Sequence, residues 1–254
     1  MALTTLPFSL KRALLAFGLI VLIAPMILGE AYAANRQQAG LMIPLYTYPT
    51  DSSWSNLIRG KQTHPNVPVI AIINVYNGPG PAIDSNFVNG IKKLQAAHIT
   101  VIGYVYTSYA SRPISDVEAD MMLYEQWYKV NGIFFDNMSS DASTASYDTT
   151  LANFAKSQGF AVTVGNRGGT VAQVLVGIFQ VTCIYEGAGM PLVSYLTADT
   201  GSRGQFAYIA YGVPSLVNNL MTQYVSWLWV TNLSGSITYD GLPSYFTQEM
   251  RMLS

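Results

Sequence analysis

The chain has 254 residues, of which 50% are hydrophobic and only 11% charged, with a formal net charge of -1. That length suits one large α/β domain or two small ones and provides a sizeable core. A near-neutral chain without a basic patch argues against a nucleic-acid partner. With so few charges, Ser, Thr, Asn, Gln and 17 Tyr must cover much of the surface.

The N-terminus has the pattern of an export signal. Lys11 and Arg12 precede an apolar stretch from Ala13 to Leu28, interrupted by Gly18 and Pro25. Ala31-Tyr32-Ala33 then supplies a small-x-small cleavage pattern. The expectation is a signal peptide over residues 1–33 and a mature domain over 34–254. An uncleaved anchor is the alternative, although the run is shorter than the roughly 20 residues a spanning helix needs. The mature chain is expected outside the cell or in its envelope, without a membrane span and as a monomer. Removing Lys11, Arg12 and Glu30 shifts the formal charge from -1 to -2. Cys183 is the single cysteine, so no internal disulfide forms; it reads as a small buried hydrophobe in a strand.

Eight apolar, β-rich runs follow at near-regular spacing: Leu41–Tyr46, Val69–Val75, Thr100–Tyr106, Gly132–Asp136, Phe160–Gly165, Val181–Glu186, Phe206–Tyr211 and Trp227–Thr231. Most are continuously apolar, as strands covered on both faces are. Helical patterns lie between them. Asp84 to Ala97 places Phe87, Ile91 and Leu94 at helical spacing behind an Asp84 or Ser85 cap. Ser115-Asp116-Val117-Glu118 fits a capping box before Met121, Tyr124 and Tyr128. Thr144 to Ser157 ends at Gly159, and Leu192 to Thr200 ends at Gly201. Pro214-Ser215 opens a helix through Tyr224, and Pro243-Ser244 opens another to Met252. This alternation predicts an α/β fold, a single (β/α)8 TIM-type barrel, with an open doubly wound sheet as the alternative.

In such barrels the active site lies at the C-terminal ends of the strands. Two strands end in a carboxylate there: the fourth in Asp136 and the sixth in Glu186. An acid is a poor strand residue and costly to bury, so two of them suggest one shared pocket. Two carboxylates are the minimum equipment for cleaving a glycosidic bond. The other strand ends supply rings that stack on sugar C–H faces and amides that bind hydroxyls: Tyr46, Asn74, Tyr76, Tyr104, Tyr109, Asn137 and Asn166. Asp51, Asp141 and Asp240 lie in loops near the mouth, whereas Asp84, Asp116, Glu118, Asp120, Glu125 and Asp148 read as caps or solvated faces.

His64 and His98 precede strands two and three, on the opposite face, which argues against His-based triads and metal sites. G-x-S-x-G, H-E-x-x-H and Walker patterns are missing. Gly78-Pro79-Gly80-Pro81 is no dinucleotide loop, because its prolines remove amides that would cradle phosphate. No metal or organic cofactor is implied.

At these residues the chain resembles the spherulin-4 family (spherulation-specific family 4), which includes secreted barrel glycoside hydrolases acting on galactosaminogalactan and related exopolysaccharides. The resemblance runs through Ile43-Pro44-Leu45-Tyr46 with Tyr48-Pro49 and Trp54; Asn74 with Gly78-Pro79-Gly80; Gly103 to Tyr109 with Arg112; Tyr128 to Asp136; Asn166; and Glu186. It implies catalytic acids at Asp136 and Glu186 and an α-1,4-linked N-acetylgalactosamine-type polysaccharide substrate. Three positions depart from the family's pattern. Asn137 stands where an acid is usual, Val75 where Pro follows the second-strand Asn, and Arg167 where Pro-Gly follows the fifth-strand Asn.

The expected roles are Asp136 as nucleophile and Glu186 as acid and base, with Asn137 orienting Asp136 or a sugar hydroxyl. The Glu186 pKa is expected to be raised by neighbouring Tyr185 and by the charge of Asp136. A carboxyl separation of about 5–5.5 Å predicts retention and about 6.5–9.5 Å inversion. A carbohydrate-binding surface protein that has lost turnover is the rival reading, favoured by Asn137. A structural envelope protein anchored by its N-terminus is a third.

Overall fold

The structure is a computed structural model that describes residues 38–254. The expected signal peptide lies outside the described residues. Eight parallel strands close into a barrel in chain order. They are β1 (Gly40–Pro44), β2 (Val69–Ile73), β3 (Thr100–Tyr106), β4 (Gly132–Asp136), β5 (Val162–Asn166), β6 (Val181–Ala188), β7 (Phe206–Tyr211) and β8 (Trp227–Val230). β3, β4 and β7 have the expected bounds, and the others differ by one or two residues at one end or, in β1 and β5, at both. Pairing of Gly40 with Trp227 and Leu41 with Leu228 closes the ring and rules out the open sheet. Every residue of β1 and β2 is buried, as two-sided coverage requires.

Helices wrap the first half of the barrel most completely. α1 (Ser52–Thr63) follows β1 and was not among the expected helices. Its signal was there: Asp51 caps it, accepting from the Ser53 amide at 2.8 Å, ahead of buried Trp54 and Leu57. α2 (Ser85–Ala96) is capped by Asp84 and buries Phe87, Ile91 and Leu94, as the spacing predicts. α3 (Ile114–Leu123) runs into a π-helical turn, Tyr124–Tyr128. It starts one residue before the expected Ser115 cap, behind Pro113, and no side chain caps it. The Pro113 carbonyl takes the Asp116 and Val117 amides instead. The π-turn packs Tyr124 over Gly103, where a Cβ would come within 2.7 Å of the ring.

The second half departs from the expected pattern. α4 (Ala145–Ser157) forms and ends before Gly159, which has a φ of 83°. The Leu192–Thr200 helix shrinks to one turn, α5 (Val193–Leu196). The helix expected from Pro214 to Tyr224 does not form. Asn218 and Asn219 interrupt it: the Asn219 side chain accepts from the Met221 amide at 2.8 Å, and Met221 takes a left-handed φ of 52°. α6 (Phe246–Met252) closes the chain. His64 caps the C-terminus of α1 and His98 follows α2, so both sit on the face where strands begin.

Candidate active site

Strand order alone explains why the two acids meet. β5 lies between β4 and β6. Its last residue, Asn166, therefore stands between Asp136 at the end of β4 and Glu186 in β6. The Asn166 amide nitrogen donates to Asp136 Oδ1 at 2.7 Å and to Glu186 Oε2 at 2.5 Å. Those two oxygens thus lie no farther apart than 5.2 Å, the two hydrogen bonds end to end. Ionised carboxylates only accept, so the nitrogen edge of the amide must face them.

Each acid also has its own tyrosine. Tyr104, which is 6% exposed, donates to Asp136 Oδ2 at 2.8 Å. Tyr239 donates to Glu186 Oε1. Tyr46 packs between these rings, with centroids 5.8 Å from Tyr104 and 5.3 Å from Tyr239. The acids open into a cleft of about 580 Å³ whose lining includes Tyr46, Tyr109, Asn137, Asn166, Tyr211, Tyr239 and Asp240.

A β-bulge gives Glu186 its direction. The β6–β7 register slips between Cys183 and Tyr185. Side chains alternate along a regular strand, so residues three apart face opposite ways. One extra residue restores the parity and lets Glu186 join the face of buried Cys183. Both groups accordingly feel the charge of Asp136. Tyr185 turns away: its hydroxyl donates to the Ala188 and Gly189 carbonyls, and its ring meets Tyr195. The expected Tyr185 contribution to Glu186 is therefore corrected. Burial raises the Glu186 pKa, the Tyr239 and Asn166 hydrogen bonds lower it, and the Asp136 charge raises it further. Burial and then the Asp136 charge likewise push the Tyr46 and Tyr104 hydroxyls upward, so both stay protonated.

The cleft gathers Tyr46, Tyr109, Asp136, Asn137, Asn166 and Glu186, and Tyr104 stands behind Asp136. Two expected residues fall elsewhere. Asn74 spends its side-chain oxygen on the Gly78 amide at 3.2 Å, bracing its own loop. Tyr76 is 78% exposed and borders a separate hollow with Tyr48 and Ile83. Asn137 lines the cleft but does not hold Asp136, whose oxygens go to Tyr104 and Asn166. Its left-handed backbone, with a φ of 51°, presents a carbonyl to the Tyr109 amide at 2.6 Å and to the Thr107 hydroxyl.

Among the loop acids, Asp51 and Asp141 are caps, whereas Asp240 reaches the cleft. Asp148 is no solvated face: it forms a fully buried ion pair with Arg167 at 2.6 Å. Arg167 also donates to the Ser139 carbonyl, tying the end of β5 to the β4–α4 loop. Tyr239 lies in a loop that no spacing rule marks, whereas Tyr211 ends β7, where the site is expected, but is not among the expected binding residues. Among the described residues no cluster of three His, Cys, Asp or Glu could hold a metal.

The chain has known relatives in sequence and in fold. The model of the spherulation-specific family 4 matches residues 40–253. Spherulin-4 of Physarum polycephalum is 32% identical over 248 residues, 89% of this chain and 73% of that protein. The structure of Aspergillus clavatus Sph3 in complex with GalNAc superposes with a TM-score of 0.77 at 24% identity, covering 85% of this chain and 97% of that one. A Geobacillus stearothermophilus GH36 α-galactosidase shares the barrel more loosely, with a TM-score of 0.54 at 10% identity over 86% of this chain and 41% of that one. Matched over nearly all of its barrel, the chain belongs to the spherulation-specific family 4.

Proposed function

We propose that this chain is an exported glycoside hydrolase that cleaves α-1,4-linked N-acetylgalactosamine-type polysaccharide with retention of configuration. One observation carries the reading: a single amide holds two carboxylate oxygens within 5.2 Å of each other, in an open cleft. That ceiling suits the class of about 5–5.5 Å, in which one acid attacks, better than the wider class that leaves room for water. The GalNAc bound to Sph3 supports an amino-sugar ligand.

Asp136 attacks the anomeric carbon, helped by Tyr104 and Asn166, which fix its carboxylate. Glu186 gives its proton to the leaving oxygen and then takes one from water. Its raised pKa suits the first step, and the loss of sugar-bound Asp136's negative charge lowers it for the second. In an α-linked galacto sugar the 2-acetamido group is cis to the leaving oxygen, so it cannot attack from the opposite face. With retention, the nucleophile must then come from the protein. Tyr46, Tyr109 and Asn137 face the sugar from the lining of the cleft.

Asn137, in place of an acid, favours a second reading in which the barrel binds polysaccharide without cutting it. Incubation of amino-sugar polymers with wild type and Asp136→Asn decides between them. New reducing ends released only by wild type support the hydrolase. Retention on the polymer by both proteins, without release, supports the binder and overturns the hydrolase.

A further inference from the structure

A second groove of about 560 Å³ starts beside the mouth and runs down the outer wall of the barrel toward the face where the strands begin. One wall is α1, from its first turn to His64; the other is the β8–α6 loop with the start of α6. At 1.5 Å per residue, that wall extends for about 18 Å, longer than any one sugar ring. Asp240 lines both this groove and the cleft of the acids. It is exposed, so the boundary between the two is an open rim rather than a core wall.

The groove carries hydroxyl-binding groups along its length. Arg59 and Asn56, joined by a hydrogen bond of 2.5 Å, project from α1, and Thr247 faces them from α6. Phe246 borders the groove with its ring buried over Gly60. Guanidinium, amide and hydroxyl groups set along one groove suit the hydroxyls of a sugar chain. A long groove meeting the acids at one end suits a polymer more than a small molecule.

We propose that this groove holds the stretch of polysaccharide that continues past the bond being cleaved, entering over Asp240 and lying between Asn56–Arg59 and Thr247. This rests on the hydrolase reading and adds the path of the chain.

The test uses the full chain with Asp136→Asn, which holds substrate without cutting it. Linear α-1,4-linked amino-sugar oligosaccharides of increasing length are titrated calorimetrically against it, alone and combined with Arg59→Ala or Thr247→Trp. Both positions are exposed, so the barrel should persist, and thermal melting checks this. Affinity should rise with length by about tenfold, the worth of one good polar contact. Either substitution should abolish that rise and leave the shortest oligosaccharide bound as before. The proposal is overturned if affinity does not grow with length, if the growth survives both substitutions, or if all lengths weaken equally. Wild-type turnover of the same oligosaccharides separates the two claims. Length-dependent binding without cleavage sinks the hydrolase and keeps the groove; cleavage without it sinks the groove alone.

Discussion

Glu186 at the mouth and Glu249 in the outer helix layer are both acids whose pKa burial pushes upward. What surrounds them differs. Glu186 receives a tyrosine hydroxyl and an amide, stands beside a second carboxylate, and opens into a cleft. Glu249 is fully buried in α6, and its rise is opposed only by the Val230 backbone. The two tyrosines that feel its charge spend their hydroxyls elsewhere, Tyr208 on the Leu220 carbonyl and Tyr245 on the Val213 carbonyl. A perturbed acid is therefore not by itself a site. Donors aimed at it, a partner charge and access to substrate make the difference.

The largest expected effect lies at the mouth. Asp136→Asn should cut turnover by about 10⁴-fold or more while melting like wild type, because a nucleophile has no substitute. Glu249→Gln should leave kcat unchanged. Equal losses of activity in both would erase the contrast between the two regions.

Asp148→Ala should come next, as a loss of stability. It strands the Arg167 guanidinium, whose side chain has no exposure, and should cost about 3–5 kcal/mol in denaturant unfolding. A loss below 1 kcal/mol would mean that Arg167 finds another partner or water.

Tyr239→Phe removes the hydroxyl that positions Glu186 and should lower kcat/KM by about tenfold. It should also move the pH profile. Glu186 must be protonated for the first step, so activity falls as pH rises through its pKa. The Tyr239 hydrogen bond holds that pKa down, and its removal should shift the alkaline limb to higher pH. A shift to lower pH would contradict the assignment of Glu186 as the acid.

The smallest effect belongs to Glu249. Its folded pKa is raised, so its contribution to stability is complete below the ordinary glutamate range and is lost as pH climbs toward the folded value. Glu249→Gln lacks that slope. It should melt about 2–4 °C above wild type at pH 7 and match it near pH 4. An unchanged melting temperature at pH 7 would show that Glu249 has an unseen partner.

The barrel was legible because its strands are continuous apolar runs, and the two acids because each ends such a run. The failures have local causes. α1 escapes the pattern although Asp51 and Trp54 mark it, and Asn218-Asn219 break the helix that Pro214 predicts. Tyr185 was placed beside Glu186 because a bulge leaves no mark in strand periodicity. Asp148 passed for a surface residue because its partner, Arg167, lies 19 positions away. Tyr239 was invisible for a similar reason, since it lies 53 positions from Glu186, in the segment after β8. Asn74 and Tyr76 were credited to the cleft on position alone, whereas a loop can turn its side chains inward to itself or out to solvent.

The central claim is that Asp136 attacks the sugar while Glu186 serves as acid and base. The most direct measurement is the intact mass of Glu186→Gln protein during turnover of an α-1,4-linked amino-sugar oligosaccharide with an activated leaving group. Such a leaving group needs no acid, and loss of the base slows release of the intermediate. The account predicts one glycosyl unit per chain, mapped to Asp136. Cleavage with no adduct and an inverted product, or an adduct on another residue, would contradict it.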